Sequence, residues 1–187
     1  MKLSNMLNSA MVFAAKSDIR YYLNGVNVYH KNGVIEAIAS TDGYCAQIIM
    51  NNLSEHDFVS KHDKYESFIL SIADCKRLVA IYPLDDFDGL SVQSILDHAK
   101  PIEGNYPNIT KIISSKSAET EAFEIGIDYK YLAKISQSMV KLTRGFKLRY
   151  TGAKFSFTAP NEAIKVVVSQ PVLKGVSALI IIMPMKL

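Results

Sequence analysis

The last ten residues constrain the chain more than any other stretch: Ala178-Leu-Ile-Ile-Ile-Met-Pro-Met-Lys-Leu187. The apolar run from Ala178 to Ile182 predicts a strand buried on both faces, so the sheet that receives it must be covered on two sides. Met183-Pro-Met-Lys-Leu187 then follows with no polar tail, whereas chain ends are usually polar and frayed. Two methionines and a leucine beside a proline make an adaptable apolar lip, the kind of surface that suits a peptide groove. Pattern alone leaves two readings open: a last core strand that simply stops, or one wall of a binding cleft.

Size and charge exclude several classes. A chain of 187 residues with 49% apolar and 21% charged side chains has the balance of an ordinary globular protein with a real core. A net charge of +3 is too mild to argue for nucleic acid by itself, so a DNA reading must rest on where the cations sit. No apolar run approaches the ~18 residues of a membrane span, and Met1-Lys-Leu-Ser-Asn-Met6 lacks the pattern of a secretory signal. Cys45 and Cys75 stand in unlike contexts without metal-ligand spacing, which predicts reduced thiols and a cytoplasmic location.

Leu3, Met6, Leu7, Ala10, Met11 and Ala14 recur at helical steps and predict a helix over about residues 2–16. Arg20-Tyr-Tyr-Leu-Asn-Gly25 reads as the start of a β region. Val26–Tyr29, Val34–Ile38 and Tyr44–Met50 read as strands, the first two joined across Lys31-Asn-Gly33 and the third entered through Ser40-Thr-Asp-Gly43. The polar stretch Asn51–Tyr65 reads as a loop, its His56 and His62 solvated rather than metal-binding. Phe68–Ile72 predicts a strand, Ala73–Tyr82 a helix stopped by Pro83, and Leu90–Leu96 a strand. Asp85, Asp86 and Asp88 lack the spacing of a calcium loop and read as turn chemistry. Pro101–Ile109 reads as an extended linker. Ala122–Ile127, Phe146–Tyr150, Lys154–Thr158 and Ala163–Val168 predict strands. Asp128 caps a helix reaching Leu142, with Leu132, Ile135, Met139 and Leu142 on one stripe. The order strand-helix-strand-strand-strand is complete near the C-terminus and abbreviated twice before it, a weak repeat with a period of roughly 60 residues. No phosphate-cradling loop, nucleophile elbow or triad spacing occurs, so no enzyme activity and no cofactor are expected.

Three motifs together resemble the bacterial DNA polymerase III beta subunit, the sliding clamp. Arg20–Gly25 looks like the strand that opens the clamp's middle domain after its helix. Ser40-Thr-Asp-Gly43 looks like the clamp's Thr-Asp-Gly-His-Arg-Leu turn, and Ile181-Ile-Met-Pro-Met-Lys-Leu187 like its C-terminal Val-Val-Met-Pro-Met-Arg-Leu. Gly104-Asn-Tyr-Pro-Asn-Ile109 is similar, more weakly, to the Gly-Arg-Phe-Pro-Asp-Tyr segment that leads into the last clamp domain, and Phe123-Glu-Ile-Gly-Ile127 followed by a helix to the last half-domain. The resemblance implies an α+β sliding-clamp fold with antiparallel sheets, helices on one face and repeated βαβββ units. Residues 1–113 would correspond to the middle domain with its second half abbreviated, and 114–187 to the C-terminal part of the last domain. A first domain and other parts of the family's pattern are missing, as expected of a shortened, phage- or mobile-element-type relative. Tyr44-Cys45-Ala46 replaces the family's His-Arg-Leu.

Carried over position by position, the family's peptide cleft would use Leu23, Thr41, Gly43, Tyr44, Cys45, Ala46, Pro107, Ile112, Ile181, Met183, Pro184, Met185 and Leu187. Clamps contact duplex DNA through basic helix faces without reading sequence. Here Lys130, Lys134 and Lys141 would share one face of the C-terminal helix, with Lys76 and Arg77 on the middle helix and Lys2 and Lys16 on the first. A solvated charged face explains the same pattern equally well. The implied function is a processivity factor that captures short motifs of polymerases or repair proteins, works with a clamp loader and assembles as a homo-oligomeric ring. The alternative is a monomeric adaptor or inhibitor that keeps the cleft without encircling DNA.

Overall fold

The computed structural model describes residues 1–86, 90–113, 125–146, 153–157, 159, 162–168 and 176–185. Helix α1 spans Leu3–Ala10, followed by strands β1 (Gly25–Lys31), β2 (Val34–Thr41) and β3 (Cys45–Asn51). Helix α2 (Glu55–Ser60), strand β4 (Glu66–Ser71), helix α3 (Ile72–Ile81) and helix α4 (Val92–Leu96) come next. Helix α5 (Tyr129–Leu142) and strands β5 (Lys154–Ser156), β6 (Ile164–Val168) and β7 (Val176–Ile182) complete the described elements.

All seven strands form one antiparallel sheet in the order β4-β1-β2-β3-β7-β6-β5. The tail strand β7 is therefore interior, paired with β3 from Cys45↔Ile182 to Asn51↔Val176 and with β6 on its other side. This is the physical reason for five consecutive apolar residues: neither face of β7 meets water. On one face Ile180 and Ile182 pack with Phe13, Cys45, Ile164, Val166 and Ile135 of α5. On the other, Leu179 and Ile181 pack with Ala46, Ile48, Phe58 and Ile109. The segments 1–113 and 114–187 thus share a single sheet.

Helix α1 packs between α3 and α5, and nearly all its residues are buried. Its outer side is covered because Leu3 N–H donates to the Asp85 carbonyl (3.2 Å), Ser4 to the Pro83 carbonyl (3.0 Å) and Asn5 to the Arg144 carbonyl (3.0 Å). The sheet face beneath carries one polar cluster. Gln47 Nε2 donates to Ser138 Oγ (2.6 Å), Ser9 Oγ donates to Gln47 Oε1 (3.2 Å), and the two hydroxyls lie 2.7 Å apart. Three fully buried polar side chains on β3, α1 and α5 thereby satisfy one another in a closed ring.

Several local expectations are corrected. The first helix ends at Ala10 rather than near residue 16, because Ser40 Oγ donates to the Ala10 carbonyl (2.6 Å) and the chain turns to bury Phe13. Tyr21–Asn24 forms a 3-10 turn instead of a strand; the Asn24 side chain accepts from Asp18 N–H and donates to its carbonyl, both at 2.9 Å. The polar stretch 51–65 is not a plain loop. Ser54 caps α2 by accepting from Asp57 N–H, and Phe58 is 1% exposed. Leu90–Leu96 is helical from Val92, because Ser91 caps α4 and Val92 and Ile95, three apart, are its buried pair. On α5, Leu132 is 44% exposed; the buried positions are Ile135, Ser138 and Leu142. The expected strands at 122–124 and 147–150, and Asp88, lie outside the described residues.

Candidate binding groove

The site begins with a turn that wires itself. Thr41 Oγ1 donates to the Cys45 carbonyl and accepts from Gly43 N–H, both at 3.0 Å. Asp42 Oδ1 accepts from Tyr44 N–H (3.0 Å) and Cys45 N–H (2.8 Å). Gly43 has φ +93°, a left-handed conformation that favours glycine, and a Cβ there would meet Arg20 Nη2 at 3.0 Å. Arg20 is itself held by Asp18, whose carboxyl its guanidinium lowers to about 2. The turn therefore projects Tyr44, 66% exposed, at a fixed place.

Helix α5 is tied to this turn by an ion pair between Lys134 Nζ and Asp42 Oδ2, with the ammonium also 5.6 Å from the centre of the Tyr131 ring. The tail is fixed at two points: Met183 N–H donates to the Tyr44 carbonyl and Met185 N–H to the Gly126 carbonyl, both at 2.9 Å. These links leave a groove of about 340 Å³ lined by Tyr44, Asp128, Tyr131, Met183, Pro184 and Met185. Burial first, then the negative charges of Asp42 and other neighbours, pushes the Tyr131 phenol up to about 12.

Of the residues expected in a cleft, Tyr44, Met183, Pro184 and Met185 meet in this groove, and Thr41 and Gly43 build its turn. Cys45 is buried behind it on the helix side. Ala46 and Ile181 are cross-strand partners on the opposite sheet face, each 2% exposed in closed core. Leu23 is buried at the 3-10 turn, where its carbonyl accepts from Ala15 N–H. Pro107 is exposed and Ile112 is 43% exposed, on the segment whose Tyr106, Ile109 and Ile113 cover that second face. Leu187 lies outside the described residues. Sequence reasoning missed Asp128 and Tyr131 as groove residues: it took Asp128 only as a helix cap and had no signal that this end of α5 meets the tail.

The cations are divided. Lys16, Lys76, Arg77, Lys130 and Lys141 are exposed and Lys2 is half-buried. Arg77 is paired with Asp74, three residues before it on the same helix, and Lys130 stands 4.0 Å from Asp128. Lys134 does not share an outward row with Lys130 and Lys141, because its ammonium turns to Asp42. Among the described residues no group of three or more His, Cys, Asp and Glu could hold a metal ion, and no helix is long and apolar enough to cross a membrane. The His62 ring packs edge-on against Tyr29 and Phe58.

Cys45 and Cys75 are free, 1% and 0% exposed. Burial pushes both thiols up, Cys75 to about 12 and Cys45, with help from the Asp42 carboxylate, well above the usual thiol range. An unfolded thiol loses its proton near pH ~8.5 while the native ones keep theirs, so the unfolded state binds fewer protons above that pH. Native stability is expected to fall as pH rises from 8 to 10, and both thiols to react with Ellman's reagent only as fast as the protein opens. Chemical denaturation at each pH and stopped-flow labelling measure this; immediate labelling of a native thiol would contradict the burial.

No family model matches the chain, and no curated protein does. Solved structures do match, and they define the fold. A DNA polymerase sliding clamp from Pseudomonas aeruginosa superposes with a TM-score of 0.64 at 13% identity, over 99% of this chain and 64% of that one. The H. pylori beta clamp in complex with diflunisal gives 0.66 at 12% identity, over 100% and 64%. The DNA polymerase III beta subunit from Thermotoga maritima gives 0.62 at 11% identity, over 100% and 65%. The chain has the sliding-clamp fold, α+β with repeated strand-and-helix units, and spans just under two thirds of these clamps' length.

Proposed function

We propose that the chain is a shortened DNA polymerase III beta-like clamp that binds short clamp-binding motifs of polymerase or repair proteins, a non-catalytic replication role exercised in the cytoplasm. The observation that carries this reading is the groove itself. In a chain of clamp fold, the Met183-Pro184-Met185 tail is fastened to the Tyr44 turn and to the entry of α5, leaving apolar walls open to solvent. Leucine and phenylalanine side chains of a partner would bury there at about 25 cal/mol per Å², before ordering costs. The domain correspondence, 1–113 to a middle domain and 114–187 to part of a last one, belongs to the same proposal.

A Gln-Leu-x-Leu-Phe peptide is expected to bind the intact chain, and Met183→Ala to weaken it about tenfold, as loss of a buried anchor does. Fluorescence anisotropy measures this. No binding at high micromolar peptide would refute the cleft.

Whether the chain encircles duplex DNA as a homo-oligomer or acts as a monomeric adaptor or inhibitor is a separate question. The pairing of Lys134 with Asp42 and of Arg77 with Asp74 favours the adaptor, because it withdraws two of the cations a DNA-facing surface would use. Native mass at micromolar concentration, with and without DNA, decides between them: a strict monomer excludes the ring.

A further inference from the structure

The groove's polar equipment differs in kind from its apolar walls. Its lining offers two phenols and one carboxylate, Asp128, and no cation. Asp128 is the N-cap of α5: its Oδ1 accepts from Lys130 N–H at 2.9 Å. Its Oδ2 has, among the described residues, only the Lys130 ammonium at 4.0 Å, on a side chain 71% exposed, while Asp128 itself is 28% exposed. Asp128 therefore lines the groove as a half-screened carboxylate that keeps acceptor capacity on Oδ2. Two nearby cations are already engaged: Lys134, 5.6 Å from the centre of the Tyr131 ring, pairs with Asp42, and Arg20, close to Tyr44, pairs with Asp18. The same groove carries the Tyr44 ring, 66% exposed and held by its turn.

A carboxylate and an open aromatic face in one groove suit one side chain above others. Guanidinium pairs with carboxylate through two parallel N–H donors and stacks on aromatic rings, whereas ammonium is a more strongly hydrated point charge. We propose that Asp128 and Tyr44 make this groove selective for a peptide segment carrying an arginine next to its apolar anchor, the anchor lying against Met183 and Met185. The inference rests on the groove being a peptide cleft, and it adds the chemistry of the partner.

The test uses the full chain and three fluorescein-labelled peptides with the same Leu-Phe anchor and Arg, Gln or Glu beside it. The Arg peptide is expected to bind about five- to tenfold tighter than the Gln peptide and the Glu peptide weakest, with the differences shrinking between 50 and 500 mM salt. Asp128→Asn removes the charge while keeping an equally good helix cap. It should bring the Arg and Gln peptides to the same affinity, and Tyr44→Ala should reduce the preference for Arg over Gln. If the three peptides bind equally well, or if Asp128→Asn keeps the Arg preference, the inference is overturned and the cleft stands. If none binds, the cleft reading falls with it.

Discussion

Phe58→Ala is expected to cost about 3–5 kcal/mol, a large share of the ~5–15 kcal/mol that holds a domain of this kind folded. Phe58 is 1% exposed and packs in the core cluster of the second sheet face. Its ring stacks on Tyr65 at 5.5 Å between centroids and meets Tyr29 edge-on at 5.2 Å and His62 at 5.8 Å. Truncation would leave a ring-sized void among side chains carried by β1, by α2 and by the turn that follows it, and those elements are fixed by strand pairing and by the Ser54 cap. The site has little freedom to collapse, which puts the cost toward the upper end of the range. The urea midpoint measures the loss. A shift worth less than about 1 kcal/mol would mean that residues 51–65 do not pack on the sheet as described.

The buried ring of Ser9, Gln47 and Ser138 sets the second expectation, which concerns coupling more than size. Gln47→Leu keeps most of the volume but leaves two buried hydroxyls with only each other, at about 1–3 kcal/mol. Ser9→Ala and Ser138→Ala each strand one end of the amide at a similar cost. The triple variant Ser9→Ala, Gln47→Leu, Ser138→Ala removes every polar atom of the ring and should recover most of the loss, because no unpaired group remains. Single costs that simply add in the triple variant would show the three side chains acting independently.

Legibility followed the range of the interactions. Strands β1, β2, β3 and β6 and helix α3 could be read because their patterns are local: alternation, an Asn-Gly turn, a proline stop. The tail was read as buried on both faces, and it is. Failures came where one residue or one cap outweighed composition. Phe58 lies in a stretch otherwise polar enough to pass for loop, and Ser91 turns an expected strand into α4. Half of the groove was visible as motif, through the Thr41 turn and the Met183-Pro184-Met185 lip. Its other half, Asp128 and Tyr131, depends on the Lys134–Asp42 and Met185–Gly126 links, which join distant parts of the chain and leave no mark in local spacing.

The interior place of β7 also bears on how the molecule comes into being. Strand β3, buried on both faces once folded, has its partner β2 synthesised just before it, but its other side must wait for β7, where Cys45 meets Ile182. At ribosomal speeds of ~5–20 residues per second that wait is on the order of ten seconds. Throughout it a nascent chain would hold Ala46, Ile48 and Met50 beside an unpaired backbone, ready to accept any foreign strand. Yield in the cell should therefore depend on chaperone supply and growth temperature more steeply than the finished protein's stability alone would dictate.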